Sequence, residues 1–189
     1  MGRLVYSMNT SIDGYIEDRH GSIAFSEPDE EVHRVANEQA RDTAAFLFGR
    51  RLYEMMEEPW RTVAANPDAS DVEAEFARAY LDTPRYVFSD TLRDVPEGVT
   101  LVRRGDAVAE AARLKKEIDG TLDVGGPELA ASLADLIDEF RMFVMPVVVG
   151  GGKPYLPLDT ELRLRLAEHR VFASGIAFFR YVRQERTGS

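Results

Sequence analysis

Apolar residues along this chain recur at two spacings, every second position in some stretches and every third or fourth in others. The first spacing is typical of strands, and the second of helices that bury one face. Strands are predicted at Arg3–Met8, Ala44–Phe48, Arg85–Phe88, Val99–Val102, Leu122–Val124 and Phe140–Val149. Helices are predicted from a cap at Ser26 to about Arg41, at Gly49–Glu57 and Asp71–Leu81, from a cap at Asp106 to about Ile118, and from Gly126 and Pro127 through Leu136.

Turn-forming residues separate these elements. The Gly- and Asp-rich stretch Asn9–Ser22 is predicted to be a loop, and Pro59 is expected to end the second helix and leave Trp60–Ser70 as a further loop. Near the C-terminus, Leu162–Ala173 and Ile176–Arg183 are predicted to pair as a hairpin.

The alternation of strands and helices favours an α/β fold with a mostly parallel central sheet covered on both faces. The C-terminal hairpin adds an antiparallel edge. We expect residues 1–189 to form a single domain, because no repeat, low-complexity segment or linker interrupts the pattern. The apolar hairpin and the strand Phe140–Val149, together with Phe172, Phe178 and Phe179, predict a homodimer formed near a sheet edge.

Composition narrows the classes of function. The chain has no cysteine and three histidines, which disfavours disulfides, thiol catalysis and a metal site and suits a reducing, cytoplasmic compartment. A net charge of −10 argues against nucleic-acid binding and anionic membranes, and no apolar run is long enough to cross a bilayer.

Two glycine-led helix starts are candidate phosphate sites. Arg50 and Arg51 stand in the first turn of a predicted helix, where they oppose the helix dipole unless an anion binds there. The alternative is a pair of solvated arginines. Gly125 and Gly126 end a predicted strand and open a helix, which allows close backbone approach to a diphosphate, or is simply a tight turn.

Three further positions are candidates for binding or proton transfer. Ser89 and its neighbours follow a strand end, where ligands of open parallel sheets lie, although an ordinary turn explains them equally. His33 is a candidate proton donor near neutral pH, with Asp13 as the alternative, and a lone helical histidine is otherwise structural or solvated.

Five segments, taken in order, resemble the dihydrofolate-reductase-like superfamily. They are most similar to the reductase domain of the bacterial bifunctional riboflavin-biosynthesis deaminase–reductase and its stand-alone relatives. The segments are S-I-D-G-Y-I-E-D (11–18), F-G-R-R-L-Y-E (48–54), V-F-S-D-T-L (87–92), V-G-G-P-E-L (124–129) and P-V-V-V-G-G-G-K-P (146–154).

The resemblance implies a three-layer α/β/α fold that binds NADPH across the C-terminal edge of its sheet. Arg50 would face the adenosine 2′-phosphate, and His33 falls near the position where dihydrofolate reductases carry their substrate-binding acid. The implied cofactor residues are Asn9, Ser11, Ile16, Gly49, Arg50, Arg51, Leu52, Ser89, Asp90, Thr91, Gly125, Gly126, Pro127, Glu128 and Leu129.

The activity implied is an NADPH-dependent reduction of a small heterocycle, similar to that of 5-amino-6-(5-phosphoribosylamino)uracil reductase. Asp90 stands where relatives often carry a basic residue, so NADH is not excluded as the cofactor. The zinc-binding signature of a deaminase is missing from the sequence. A non-catalytic nucleotide-binding or regulatory module on the same fold is the alternative function.

Overall fold

A computed structural model, which describes residues 1–157, 159 and 161–184, contains ten strands and five α-helices within those residues. The strands are β1 Arg3–Ser11, β2 Tyr15–Asp18, β3 Thr43–Gly49, β4 Arg85–Phe88, β5 Val99–Val102, β6 Thr121–Gly125, β7 Glu139–Met145, β8 Gly152–Pro154, β9 Leu164–Val171 and β10 Ala177–Arg183. The helices are α1 Glu30–Arg41, α2 Arg50–Ala65, α3 Asp71–Asp82, α4 Ala107–Glu117 and α5 Pro127–Ser132.

Eight strands form one sheet in the order β5-β4-β3-β6-β1-β7-β10-β9. Every neighbouring pair from β5 to β7 is parallel, whereas β10 runs antiparallel to both β7 and β9. The predicted α/β class, the mostly parallel sheet and the antiparallel C-terminal hairpin are therefore confirmed. Because strands β3, β4, β6 and β1 point the same way, the residues that follow them meet at one edge of the sheet.

Helices cover both faces of this sheet, as the three-layer prediction requires. Side chains of α1, α2 and α3 pack on Phe46, Phe48 and Val87 of β3 and β4. Helices α4 and α5 pack on the opposite face, against Leu4 of β1 and Leu122 of β6. Within the described residues, no helix is both long and apolar enough to span a membrane.

The first helix begins later than the sequence predicts. Ser26 ends a short 3-10 turn, and its hydroxyl donates to the carbonyl of Ile23 at 2.7 Å. Asp29 is the true N-cap of α1, since its carboxylate accepts the backbone N–H of Val32 at 2.8 Å. The prediction of Ser26 as the cap was wrong because both residue types cap well, and the turn at Ala24–Ser26 uses up the serine.

Pro59 does not end the second helix, as was predicted, but lies inside α2. The proline ring leaves the carbonyl of Met55 without its helical N–H partner. Pro59 is exposed, so water can satisfy that carbonyl. On either side, Tyr53, Met56 and Trp60 pack into the same core cluster, and this packing keeps the helix continuous up to Ala65. The loop predicted at Trp60–Ser70 shrinks accordingly.

The predicted loop Asn9–Ser22 and the predicted strand Phe140–Val149 both need correction. The stretch 9–22 contains the end of β1 and all of β2, which pairs antiparallel with β8 in a separate two-stranded sheet. Strand β7 ends at Met145 because Pro146, which follows it, lacks the N–H that a ladder needs. Neither β2 nor β8 is long enough to show a strand period.

Candidate active site

A cavity of about 620 Å³ opens at the edge of the sheet where β1, β3, β4 and β6 end. Its volume lies within the ordinary range for small-molecule sites. The face of the sheet that carries α1, α2 and α3 forms its floor, and the segments that follow the strands form its rim. Both parts contain residues that the sequence pointed to.

The two glycine-led helix starts lie side by side at the rim. Phe48 of β3 is in register with Gly125 of β6, so the chain turns into α2 and α5 at neighbouring points. A side chain at Gly125 would clash, because its Cβ would lie 2.5 Å from Leu52 Cδ2. Gly126 has a φ of +101°, a conformation that favours glycine. Small residues thus leave backbone N–H groups open to a ligand.

The two arginines that begin α2 have different partners. Arg50 donates to the Thr91 hydroxyl at 2.6 Å and lies 3.2 Å from the Glu54 carboxylate. Arg51 forms an ion pair with Glu17 of β2 at 3.0 Å. The first turn of α2 contains no acid, and no side chain caps it. The positive end of the helix and the two guanidinium groups therefore concentrate positive potential at this side of the cavity.

The loop after β4 forms the wall opposite α5. Ser89 is buried, and its hydroxyl accepts the N–H groups of Thr91 and Leu92 at 3.2 and 3.1 Å. The Asp90 carboxylate accepts the backbone N–H of Arg104 at 3.0 Å. Arg104 also lines the cavity, so a cation stands beside the acid whose charge counted against NADPH in the sequence.

The small sheet of β2 and β8 covers one side of the rim. Its register places Glu17 opposite Lys153. Glu17 pairs with Arg51, and Lys153 lies 3.2 Å from the carboxylate of Glu128 in α5. These two ion pairs fasten the β2–β8 sheet to the starts of α2 and α5.

One carboxyl group stands on the cavity floor. Leu122 and Val124 belong to the core on the α4–α5 side, so the alternation of the strand turns Asp123 toward the opposite face and into the cavity. Burial raises the pKa of Asp123 to about 7, although the charge of Arg141 opposes the shift. This acid therefore exchanges its proton near neutral pH.

Asp13, one of the two proposed proton donors, lies outside the cavity lining. Its carboxylate accepts the backbone N–H groups of Val149 and Gly150 at 3.2 and 2.8 Å. A hydrogen bond from the Ser11 hydroxyl, followed by those from these amides, lowers the pKa of Asp13. The group is ionised at neutral pH and holds the 146–151 loop against the end of β1.

His33, the other proposed donor, is also absent from the cavity lining. Its ring lies edge-on to Trp60 and Phe76, with centroids 6.0 and 5.8 Å apart. Burial lowers the pKa of His33, and the nearby Glu73 carboxylate only partly offsets this. The neutral imidazole packs among α1, α2 and α3, behind the wall to which Phe76 contributes.

The residues implied for the cofactor meet at the cavity with one exception. Within the described residues, Ser11 lies off the lining and hydrogen-bonds Tyr15 instead. The lining members are Asn9, Ile16, Gly49, Arg50, Arg51, Leu52, Ser89, Asp90, Thr91, Gly125, Gly126, Pro127, Glu128 and Leu129. Sequence reasoning missed Glu17, Asp123 and Lys153, and only Asp123, a lone acid within an apolar strand, carried a readable signal.

The chain belongs to the RibD C-terminal domain family, whose model matches residues 3–178. It is 25% identical over 178 residues to the uncharacterised protein YyaP of Bacillus subtilis (strain 168), an alignment that covers 92% of this chain and 91% of YyaP. This is a family of reductases with a dihydrofolate-reductase-like fold.

Two solved structures show the fold. The diaminohydroxyphosphoribosylaminopyrimidine deaminase/5-amino-6-(5-phosphoribosylamino)uracil reductase of Thermotoga maritima superposes with a TM-score of 0.68 at 15% identity, over 97% of this chain and 57% of that one. Dihydrofolate reductase from Enterococcus faecalis, in complex with NADP(H) and RAB-propyl, superposes with a TM-score of 0.64 at 13% identity, over 97% of both chains.

Proposed function

We propose that this protein is an NADPH-dependent reductase that transfers a hydride to a small heterocyclic substrate, in a reaction similar to that of 5-amino-6-(5-phosphoribosylamino)uracil reductase. The observation that carries the proposal is the convergence of both glycine-led helix starts and three arginines on one cavity. Phosphate groups need such a combination of open amides and guanidinium groups.

The residues at the rim fit a dinucleotide phosphate. The amides that follow Gly49 and Gly126 would hold the diphosphate, and no side chain obstructs either start. Arg50, with Thr91 beside it, would hold the 2′-phosphate, and Arg104 adds a second cation there. Because Asp90 already accepts the amide of Arg104, its charge is partly neutralised, which favours NADPH over NADH.

The floor suits a flat ring. Phe46, Phe48, Met55 and Phe143 line it with apolar surface, and Asn9 and Gln39 add polar groups at its margin. Bound NADPH would supply the hydride, while the chain orients the acceptor and keeps water out of the site. Asn9 is itself fixed, since its amide donates to the carbonyl of Ser26 at 3.0 Å.

The first test is a titration of the purified protein with NADPH and NADH, followed by quenching of Trp60 emission. We expect micromolar NADPH binding, and a loss of at least about tenfold in Arg50→Ala, because one charge-assisted contact contributes roughly 1.5–3 kcal/mol. Arg113→Ala is the matched control, since Arg113 pairs with Glu110 on α4, outside the cavity lining.

Each other outcome has a defined meaning. Tight NADH binding that Arg50→Ala leaves unchanged would contradict the assignment of Arg50 to a 2′-phosphate. Retention of NADPH without oxidation across a panel of oxidised heterocycles would favour the non-catalytic binding module. If the protein binds neither nucleotide, the proposed reductase is wrong.

A further inference from the structure

The Asp123 carboxyl group lacks a fixed partner on the cavity floor. Only burial and the charge of Arg141 shift its pKa, and no hydrogen bond contributes within the described part of the chain. Arg141 is itself held by the buried Glu139, 2.6 Å away. Buried carboxyl groups usually have hydrogen-bond partners. The unpartnered group here faces a space where a ligand can supply the partner.

The other charged groups near the cavity are engaged elsewhere. At the rim, Glu17 pairs with Arg51 and Lys153 with Glu128. The remaining titratable groups around Asp123 are the Tyr155 phenol, whose own pKa burial raises, and His33, which packs behind the wall of α1. Asp123 is therefore the acid of the inner cavity that is free to exchange a proton with a ligand.

We propose that Asp123 recognises the substrate by giving its proton to a ring nitrogen of a weakly basic, flat heterocycle and then holding the protonated ring as an ion pair. The O–H bond of the carboxyl group breaks, an N–H bond forms on the ring, and the total charge of the cavity does not change. Apolar side chains such as Phe46 and Phe143 would pack on the faces of the ring.

This inference rests on the proposed reductase and names the kind of substrate it takes. A proton on the ring nitrogen draws electrons from the adjacent C=N bond, so the carbon of that bond becomes the better acceptor of a hydride. After hydride addition, Asp123 regains a proton from solvent. A ring without a basic nitrogen cannot accept the proton and leaves the carboxyl group buried without a partner.

The experiment compares two probes of the same size. One is 2,4-diaminopyrimidine, which is weakly basic, and the other is uracil, which has no basic nitrogen. Calorimetry gives their affinities, and ultraviolet absorption reports whether the bound diaminopyrimidine is protonated. We expect wild type to prefer diaminopyrimidine by at least about tenfold, the value of one charged hydrogen bond, and to bind it in protonated form above the pH at which it is protonated in water.

The variant Asp123→Asn should lose both the preference and the protonated spectrum while it still binds NADPH. Asp135→Asn is the matched control, because Asp135 is exposed and lies outside the cavity lining. Persistence of either signal in Asp123→Asn overturns the proposal, as does a wild-type protein that binds NADPH but neither probe. If Asp123→Asn does not fold, the wild-type spectrum decides, since a neutral bound probe overturns the proposal by itself.

Failure of the proposed reductase gives a different result. In that case wild type would not bind NADPH, whereas the preference for diaminopyrimidine and its dependence on Asp123 would remain.

Discussion

Burial of the Asp123 carboxyl group should make the stability of this protein depend on pH. Its pKa rises from an ordinary value of 3.8 to about 7 in the folded state. Between those values the unfolded chain has released the proton and the folded chain still holds it, so folding is increasingly penalised as pH rises. The penalty is absent below the lower value and complete above the upper one.

The variant Asp123→Asn removes this penalty, so it should be more stable than wild type at alkaline pH. From about pH 5 to about pH 8, the difference in free energy of unfolding should widen by about 1–2 kcal/mol in favour of the variant. Urea denaturation at the two pH values measures it. Asp135→Asn should show no such trend, and a difference that stays constant with pH would contradict the shifted pKa of Asp123.

Single residues differed in how well the sequence revealed their place. Arg50 and Gly126 were found because each breaks a local rule, the arginine by opposing a helix dipole and the glycine by allowing a positive φ. His33 and Asp13 were chosen by chemical type, and the structure places both outside the cavity lining. The direction of a side chain depends on packing that no local pattern records.

At the scale of single elements, the cap of α1 can be tested directly. Asp29 accepts the N–H of Val32, and hydrogen bonds from the Ser174 hydroxyl and from that amide lower its pKa. Replacement by alanine should reduce the free energy of unfolding by about 1 kcal/mol near neutral pH. Because a lowered pKa stabilises only above the unfolded value, the loss should shrink as pH falls through the acid range.

Asp29→Asn is the control for this prediction, since asparagine caps helices about as well and should retain most of the stability. Thermal unfolding of the two variants side by side measures the difference. Equal losses in Asp29→Ala and Asp29→Asn would mean that the carboxylate contributes through charge and not through the cap.

Regular elements were predictable where their own residues carry the signal. Strands β3 and β6 and helix α3 have clear periods, and their predicted positions agree with the structure to within a few residues. Strands β2 and β8 were missed because each exists only through the other, more than a hundred positions away in the chain. Helix α2 passes through Pro59 because tertiary packing outweighs the cost of one lost hydrogen bond.

On the scale of the whole molecule, the resemblance carried more than the periodicity did. Alternating strands and helices fixed the class, but the order β5-β4-β3-β6-β1-β7-β10-β9 requires crossovers that local patterns do not encode. The motif order implied that topology and the cavity at its edge. The apolar hairpin was less informative, since Phe172 and Phe178 pack inside the subunit with Phe143.

Self-association stays a prediction, and the structure changes where it should occur. Strand β9 lies at the end of the sheet and exposes Leu166 and Val171, whereas the phenylalanines first considered are largely internal. An edge strand with apolar side chains favours pairing with a second copy. Sedimentation at micromolar concentration should therefore show a dimer of the 21.2 kDa chain, and Leu166→Lys should shift it toward the monomer. Val108→Lys, on exposed α4, is the matched control and should remain dimeric. A wild type that sediments as a monomer would contradict the dimer, and a dimer that Leu166→Lys leaves intact would place the interface elsewhere.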